Sequence, residues 1–176
     1  MSIVLDGTNG ITSPVLTGAL TGSTGLPKAA LPTGSVLQVV SASGVSNLTT
    51  SSSTFVDTGM TATITPTSAT SKILVLSTIN GAGKASGNAG SALALRLVRG
   101  STTILNIEGL LGYTGASTNN YNASGTTYVD SPATTSATVY KIQFANPANA
   151  VAVYINNYYV SPSETNSTIT LMEIAG

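Results

Sequence analysis

The chain contains no cysteine, no histidine and no tryptophan among its 176 residues. Without Cys there is no disulfide. Without His or Cys there is no structural zinc site, no haem ligation of the usual kind, and neither a Ser-His-Asp nor a Cys-His catalytic arrangement. Charge is scarce as well: six Lys plus Arg balance six Asp plus Glu, and charged residues make up 7% of the chain, against about 25% in ordinary domains. Nucleic-acid binding neutralises phosphates with clustered Lys and Arg, so nucleic acid is not an expected partner. No apolar run approaches the roughly 18 residues of a membrane helix; the longest, residues 150–155, has six. Membrane insertion is not expected, and the opening Met-Ser-Ile-Val-Leu-Asp has neither the basic nor the apolar region of a signal peptide.

What the chain has in abundance is hydroxyl and aliphatic side chains. Ser and Thr fill about fifty positions and 41% of residues are hydrophobic, for a mean hydropathy of +0.30. That apolar content is enough to offset chain entropy, so the Ser/Thr bias does not imply disorder. A single domain of this length buries roughly 70% of the unfolded surface.

The pattern changes at about residue 34. Residues 1–34 carry six glycines and three prolines, Pro14, Pro27 and Pro32, with scattered apolar residues and no sustained period. This composition reads as an extended N-terminal arm, ordered by sister subunits or a larger assembly; the alternative is that it folds back over its own domain. From Ser35 to Gly176 the pattern is strand, turn, strand. Val36–Val40 is a run rich in β-branched valine. Met60, Ala62 and Ile64 alternate with threonines, and Lys72–Ile79 (KILVLSTI) reads as a strand buried on both faces. Leu93, Leu95 and Leu97 alternate, and Arg99-Gly100-Ser101 turns the chain into Thr103–Ile107 as a hairpin. Tyr140, Ile142 and Phe144, then Val151, Val153 and Ile155, then Ile169 and Leu171, alternate likewise. About eight or nine short strands and no convincing amphipathic helix predict an all-β fold, a jelly-roll-like β-sandwich. One internal echo stands out: Thr54–Thr58 (TFVDT) resembles Thr127–Ser131 (TYVDS), and each precedes a Thr-Ser-Ala-Thr stretch leading into a Lys-Ile strand.

Catalytic chemistry finds little foothold. Asp57 and Asp130 sit in similar contexts, but turn-capping or pairing with a Lys is the expected role of each. Gly81-Ala82-Gly83-Lys84 fails as a phosphate loop, because Thr78 stands where the first Gly belongs and Ala85 replaces Ser or Thr. Asp6-Gly7-Thr8-Asn9-Gly10 lacks the distal ligands of a calcium loop. No catalytic residue, metal site or cofactor is expected, and the chain reads as non-enzymatic. Binding surfaces fit better. Residues 112–127 (GYTGASTNNYNASGTT) read as a long loop of the residue types that dominate recognition loops, and Asn156-Asn157-Tyr158-Tyr159 has the same chemistry. Tyr113, Asn119, Asn120, Tyr121, Asn157, Tyr158 and Tyr159 are therefore the candidate receptor contacts, aromatic faces and amides suited to a sugar or protein surface.

Several stretches carry a family resemblance. Ser53–Leu76 (STFVDTGMTATITPTSATSKILVL), Ala92–Ile104 (ALALRLVRGSTTI), Val129–Phe144 (VDSPATTSATVYKIQF) and Ser167–Ile174 (STITLMEI) resemble segments of tail-fibre and minor virion structural proteins of tailed bacteriophages. The opening Met1–Ile11 (MSIVLDGTNGI) resembles the virion-proximal start of such fibres. The resemblance implies a virion component assembled in the host cytoplasm, usually a homotrimer, with a jelly-roll head similar in outline to the C1q/TNF type. It also implies that residues 1–34 anchor to other virion proteins, with Ile3, Leu5, Asp6, Asn9 and Ile11 as anchor candidates, and that the head meets a host surface glycan or protein. Only about twenty residues separate anchor from head, so a capsid or tail decoration (cement) protein is the alternative. Low charge favours self-assembly on its own, since little repulsion keeps copies apart.

Overall fold

The structure, a computed structural model, describes residues 31–44, 46–87, 89–148, 151–157 and 165–176. Ten strands run through them and no helix: β1 (Val36–Gly44), β2 (Leu48–Thr50), β3 (Val56–Ile64), β4 (Lys72–Lys84), β5 (Leu93–Arg99), β6 (Thr102–Leu111), β7 (Asn120–Asp130), β8 (Thr138–Ala145), β9 (Val153–Ile155) and β10 (Ser167–Ile174). All pairings are antiparallel.

One sheet has the order β1-β10-β4-β9-β2, with β7 on the other edge of β4; the second has the order β3-β8-β5-β6. Setting aside the three-residue strands β2 and β9 leaves two four-stranded sheets, β1-β10-β4-β7 and β3-β8-β5-β6. That is the strand order of a jelly roll, two Greek keys wound into a sandwich.

Period-2 alternation decides which residues form the core between the sheets. Ile73, Val75 and Ile79 of β4, Ile169 and Leu171 of β10, Met60 and Ile64 of β3, Leu93, Leu95 and Leu97 of β5, and Tyr140, Ile142 and Phe144 of β8 are all buried. Each large side chain buried this way contributes roughly 1.5–3 kcal/mol. The hairpin expected at Arg99-Gly100-Ser101 is present: Arg99 pairs with Thr102, and Gly100 takes φ +58 in a two-residue loop, the conformation glycine supplies without strain.

Three expectations change. The stretch Lys72–Ile79 is buried on one face only, because Lys72 and Thr78 are exposed and Leu74 and Leu76 half-buried on the other. The expected loop 112–127 is shortened to residues 112–119, since Asn120–Asp130 form β7 along the whole of β4. The echo splits as well. Asp57 stands at the start of β3 and Asp130 at the end of β7, in different sheets. The Thr-Ser-Ala-Thr stretches do keep one role: residues 65–71 and 131–137 each carry the chain from one sheet to the other.

The strand directions give the sandwich two distinct ends. Gly34 N–H donates to Ala175 O at 2.8 Å and Ala175 N–H to Ser35 O at 2.9 Å, so the chain enters and finishes at one end. The 65–71 and 131–137 crossings and the β5–β6 turn lie at that end too. The connections β4–β5, β6–β7 and β8–β9 lie at the opposite end.

Candidate recognition site

The loop end is built on buried polar side chains. Lys84, Ser91, Asn146, Asn156 and Ser167 are each at most 1% exposed, a burial that is costly unless every group is bonded. Lys84 closes β4, and its ammonium donates to the carbonyl oxygens of Ala89 at 3.1 Å and Ala116 at 2.9 Å. It thereby ties the β4–β5 and β6–β7 connections together. Asn119 makes a second tie between the same loops, its Oδ1 accepting the Ser86 N–H at 2.6 Å. Ser91 Oγ donates to Val151 O and accepts its N–H, while Asn146 Nδ2 donates to the same carbonyl. Asn156, at φ +55, accepts from Ser167 Oγ and donates to Ser46 O. Networks satisfied this fully rigidify the loops they hold, and rigid loops bind with less ordering cost.

Above this base lie the sequence-nominated residues. Tyr113 is 54% exposed, and its N–H bonds Leu110 O across a turn, leaving Leu110, at 64%, beside it. Tyr121 is half-buried and meets Tyr154 edge to face, with ring centroids 6.2 Å apart. Both tyrosines pair across Gly83, one from β7 and one from β9. Asn120 Oδ1 accepts from Asn122 Nδ2 at 2.8 Å, but strand alternation directs this amide pair to the opposite face of β7 from Tyr121. Asn157 is half-buried and bonds Gly81 O through its backbone. Tyr158 and Tyr159 lie outside the described residues, as do Ile3, Leu5, Asp6, Asn9 and Ile11. Sequence reasoning missed Leu110, Tyr154 and the braces Lys84, Asn146 and Asn156. A lone Lys closing an apolar strand, straight after Gly-Ala-Gly, was the one available signal.

The entry end carries the buried carboxylates. Asp130 of β7 and Glu173 of β10 both pair with Ile73 of β4 from opposite sides. Arg99 Nη1 donates to both oxygens of Asp130 at 2.8 Å, and the Tyr140 hydroxyl donates to Oδ2 at 2.6 Å. Burial and the Asp130 carboxylate raise the Tyr140 phenol well above its usual range, and the bond to Asp130 raises Arg99 further. Burial pushes the Glu173 carboxyl up, yet the bonds from Thr67 and Gln38 outweigh it and hold the group below its usual value. Asp57 lies on the outside of the sandwich, where the bond from Gln143 and the ion pair with Lys141 lower it. Each of these carboxylates has a structural partner, as turn or strand-end acidic residues commonly do. Among the described residues no three acidic side chains gather to hold a metal, and no helix is long and apolar enough to cross a membrane.

These features define a jelly-roll β-sandwich with a braced loop end opposite its chain entry. No protein-family model matches the chain, and no curated protein matches it. Solved structures that resemble it include the VP2 subviral particle of infectious bursal disease virus, at 14% identity and a TM-score of 0.44 over 88% of this chain and 37% of that one. The Gt strain structure of the same virus resembles it at 12% identity and TM-score 0.35, over 88% of this chain and 41% of that one. The Gx strain structure does so at 9% and 0.34, over 80% and 37%. The chain thus spans about two fifths of the length of those viral proteins. The jelly-roll assignment rests on this chain's own strand order, not on those likenesses.

Proposed function

We propose that the chain is a non-enzymatic structural component of a virion, a short homotrimeric tail fibre of a tailed phage. Residues 1–34 attach it to other virion proteins, and the braced loop end of the head meets a glycan or protein of the host surface. One observation carries this reading: the chain enters the sandwich beside Ala175, while Tyr113, Asn119, Asn120, Tyr121 and Asn157 gather at the opposite end. A head held at its entry end presents the opposite, loop end. The stretches that resemble phage fibre proteins support the same assignment. The exposed Leu110–Tyr113 pair favours a second reading, a decoration protein, because an apolar tip also suits the surface of a neighbouring virion subunit.

The test removes residues 1–30, which leaves the Gly34–Ala175 bond intact. The truncated chain is expected to melt like the full one yet fail to enter particles, and gold label on full-length heads is expected at the tail. Normal incorporation of the truncated chain would refute the anchoring role, and label spread over the capsid would favour the decoration reading.

A further inference from the structure

The outer face of the β3-β8-β5-β6 sheet carries a row of polar side chains set by register. Asn106 of β6 pairs with Arg96 of β5, Arg96 with Gln143 of β8, and Gln143 with Asp57 of β3. Directly paired residues share a face about 5 Å apart. Arg96 is held from two sides: its Nε donates to Gln143 Oε1 at 2.8 Å, and its guanidinium carbon lies 4.1 Å from the centre of the Phe55 ring, a cation–π contact. Gln143 is fixed in turn by donating to Asp57 Oδ1 at 2.6 Å, and Lys141 occupies the other Asp57 oxygen at 2.9 Å. The terminal nitrogens of Arg96 and the side-chain amide of exposed Asn106 bond no described residue. Glu108, the other carboxylate of these four strands, turns to Ser124 of the opposite sheet, and Arg99 turns to Asp130. The outer face is left with two cations, Arg96 and Lys141, against one carboxylate.

We infer that Arg96 and Asn106 form a binding site for the carboxylate of an acidic sugar, a hexuronate within an otherwise neutral glycan. The site lies midway along the sheet, apart from the loop end, and goes beyond the contact proposed there. A guanidinium whose Nε is already bonded offers its two terminal nitrogens as a fork, the geometry that grips both oxygens of a carboxylate. The bond to Gln143 and the Phe55 ring order that fork in advance, so little freedom is lost when a ligand arrives. Asn106 supplies a donor and an acceptor one strand away, within reach of a hydroxyl on the same sugar ring. Asp57 sets the limit on charge. It stands two strand spacings from Arg96, about 10 Å, and repels a second anionic group along the row. One open fork, a neutral amide and a carboxylate nearby select a single charge set among hydroxyls, and they disfavour an acidic peptide run or a polyphosphate.

The chain has two arginines, Arg96 and Arg99, so the arginine Nε–Hε region of a nitrogen-15 spectrum holds the reporter and an internal reference. Full-length protein is titrated with galacturonate, with galactose and with N-acetylglutamate. Galacturonate is expected to shift the Arg96 signal and leave that of Arg99 in place, and added salt should weaken the binding. Galactose should shift neither signal, and N-acetylglutamate should bind more weakly than galacturonate. Followed at the Asn106 amide, Arg96→Gln should bind galacturonate about tenfold or more weakly. Arg96→Lys keeps the charge but not the fork, and should also bind more weakly than wild type. Asn106→Ala, an exposed change, should weaken galacturonate and leave N-acetylglutamate as it was. An Arg96 signal unmoved by galacturonate, or moved equally by galactose, would overturn the site. Wild-type affinity in Arg96→Lys would overturn the role of the fork. Equal affinity for N-acetylglutamate and galacturonate would overturn the sugar in favour of an acidic peptide. None of these readings depends on where the chain sits in a particle, so the proposed fibre role stands or falls separately.

Discussion

Arg99, closing β5 in one sheet, holds both carboxylate oxygens of Asp130, closing β7 in the other, at 2.8 Å. With Tyr140 donating to the same carboxylate, this is a polar clasp across the sandwich at the end where the chain enters. Asp130→Ala leaves a guanidinium without its acceptor and a buried phenol without a partner. The expected loss is about 2–3 kcal/mol in a urea melt, below the ~3–5 kcal/mol of a fully enclosed pair because Arg99 is 31% exposed and partly solvated. Tyr140→Phe removes only the phenolic donor and should cost about 1 kcal/mol. Equal losses from the two variants would show that the guanidinium contributes nothing.

Asp130 also marks a strand whose pattern is hidden in the sequence. Eight of the ten strands carry aliphatic or aromatic residues at alternate positions, and those were legible. The inward positions of β7 include Ser124, Thr126 and Asp130, so it lacks the apolar alternation that marks a core strand. Ser124 and Asp130 are satisfied by distant partners, Ser124 by Glu108 of β6 and Asp130 by Arg99 and Tyr140, which no local pattern displays. Strand β2, with three residues, is too short to show a period. At the loop end the composition nominated Tyr113 and Tyr121. It could not locate Tyr154 or Lys84, whose positions depend on register across β4.

Stability should fall on both sides of neutrality. The Glu173 carboxyl lies below its usual 4.5 in the folded chain, so the unfolded chain takes up its proton first as pH drops. Its contribution is complete above about pH 4.5 and is lost as pH falls through the folded value. Asp57 adds a smaller loss in the same direction, being half exposed. Tyr140 acts oppositely: its phenol lies above the usual 10.0, so its contribution is complete below about pH 10 and is lost as pH rises. Melting temperature against pH is expected to show a steep acid limb in the wild type. In Glu173→Gln it should be lower at pH 7 and flatter toward pH 3. An acid limb of unchanged steepness in the variant would contradict the role given to Glu173.

Gly83 should tolerate no side chain. A Cβ there would overlap the backbone carbonyl of Asn120, which cannot swing aside without moving the start of β7. Gly83→Ala is expected to cost about 2 kcal/mol or more, at the upper range for overpacking. It should also change the tyrosine near-ultraviolet dichroism as Tyr121 and Tyr154 separate. Gly109→Ala, with nothing within 4 Å of its added methyl, should stay within about 0.5 kcal/mol of wild type. Similar losses at both positions would mean that the close approach at Gly83 is not what fixes the loop end.

Tyr113 offers the cleanest separation of fibre from decoration protein. Tyr121 packs on Tyr154, so truncating it disturbs the head, and a change in adsorption would then have two explanations. Tyr113 is 54% exposed, so Tyr113→Ala should leave the melting temperature of the head unchanged. Truncating a central aromatic anchor commonly costs about 2 kcal/mol or more of binding, and each 1.4 kcal/mol is about tenfold. If the loop end meets a host receptor, particles carrying Tyr113→Ala should assemble normally and adsorb to host cells at least tenfold more slowly. Combining the change with Leu110→Ser should deepen the defect, since both residues are exposed and close one turn. A decoration protein gives the opposite pair of results: adsorption unchanged, and particles that rupture at lower temperature or milder osmotic shock because the tip no longer seats on its neighbour.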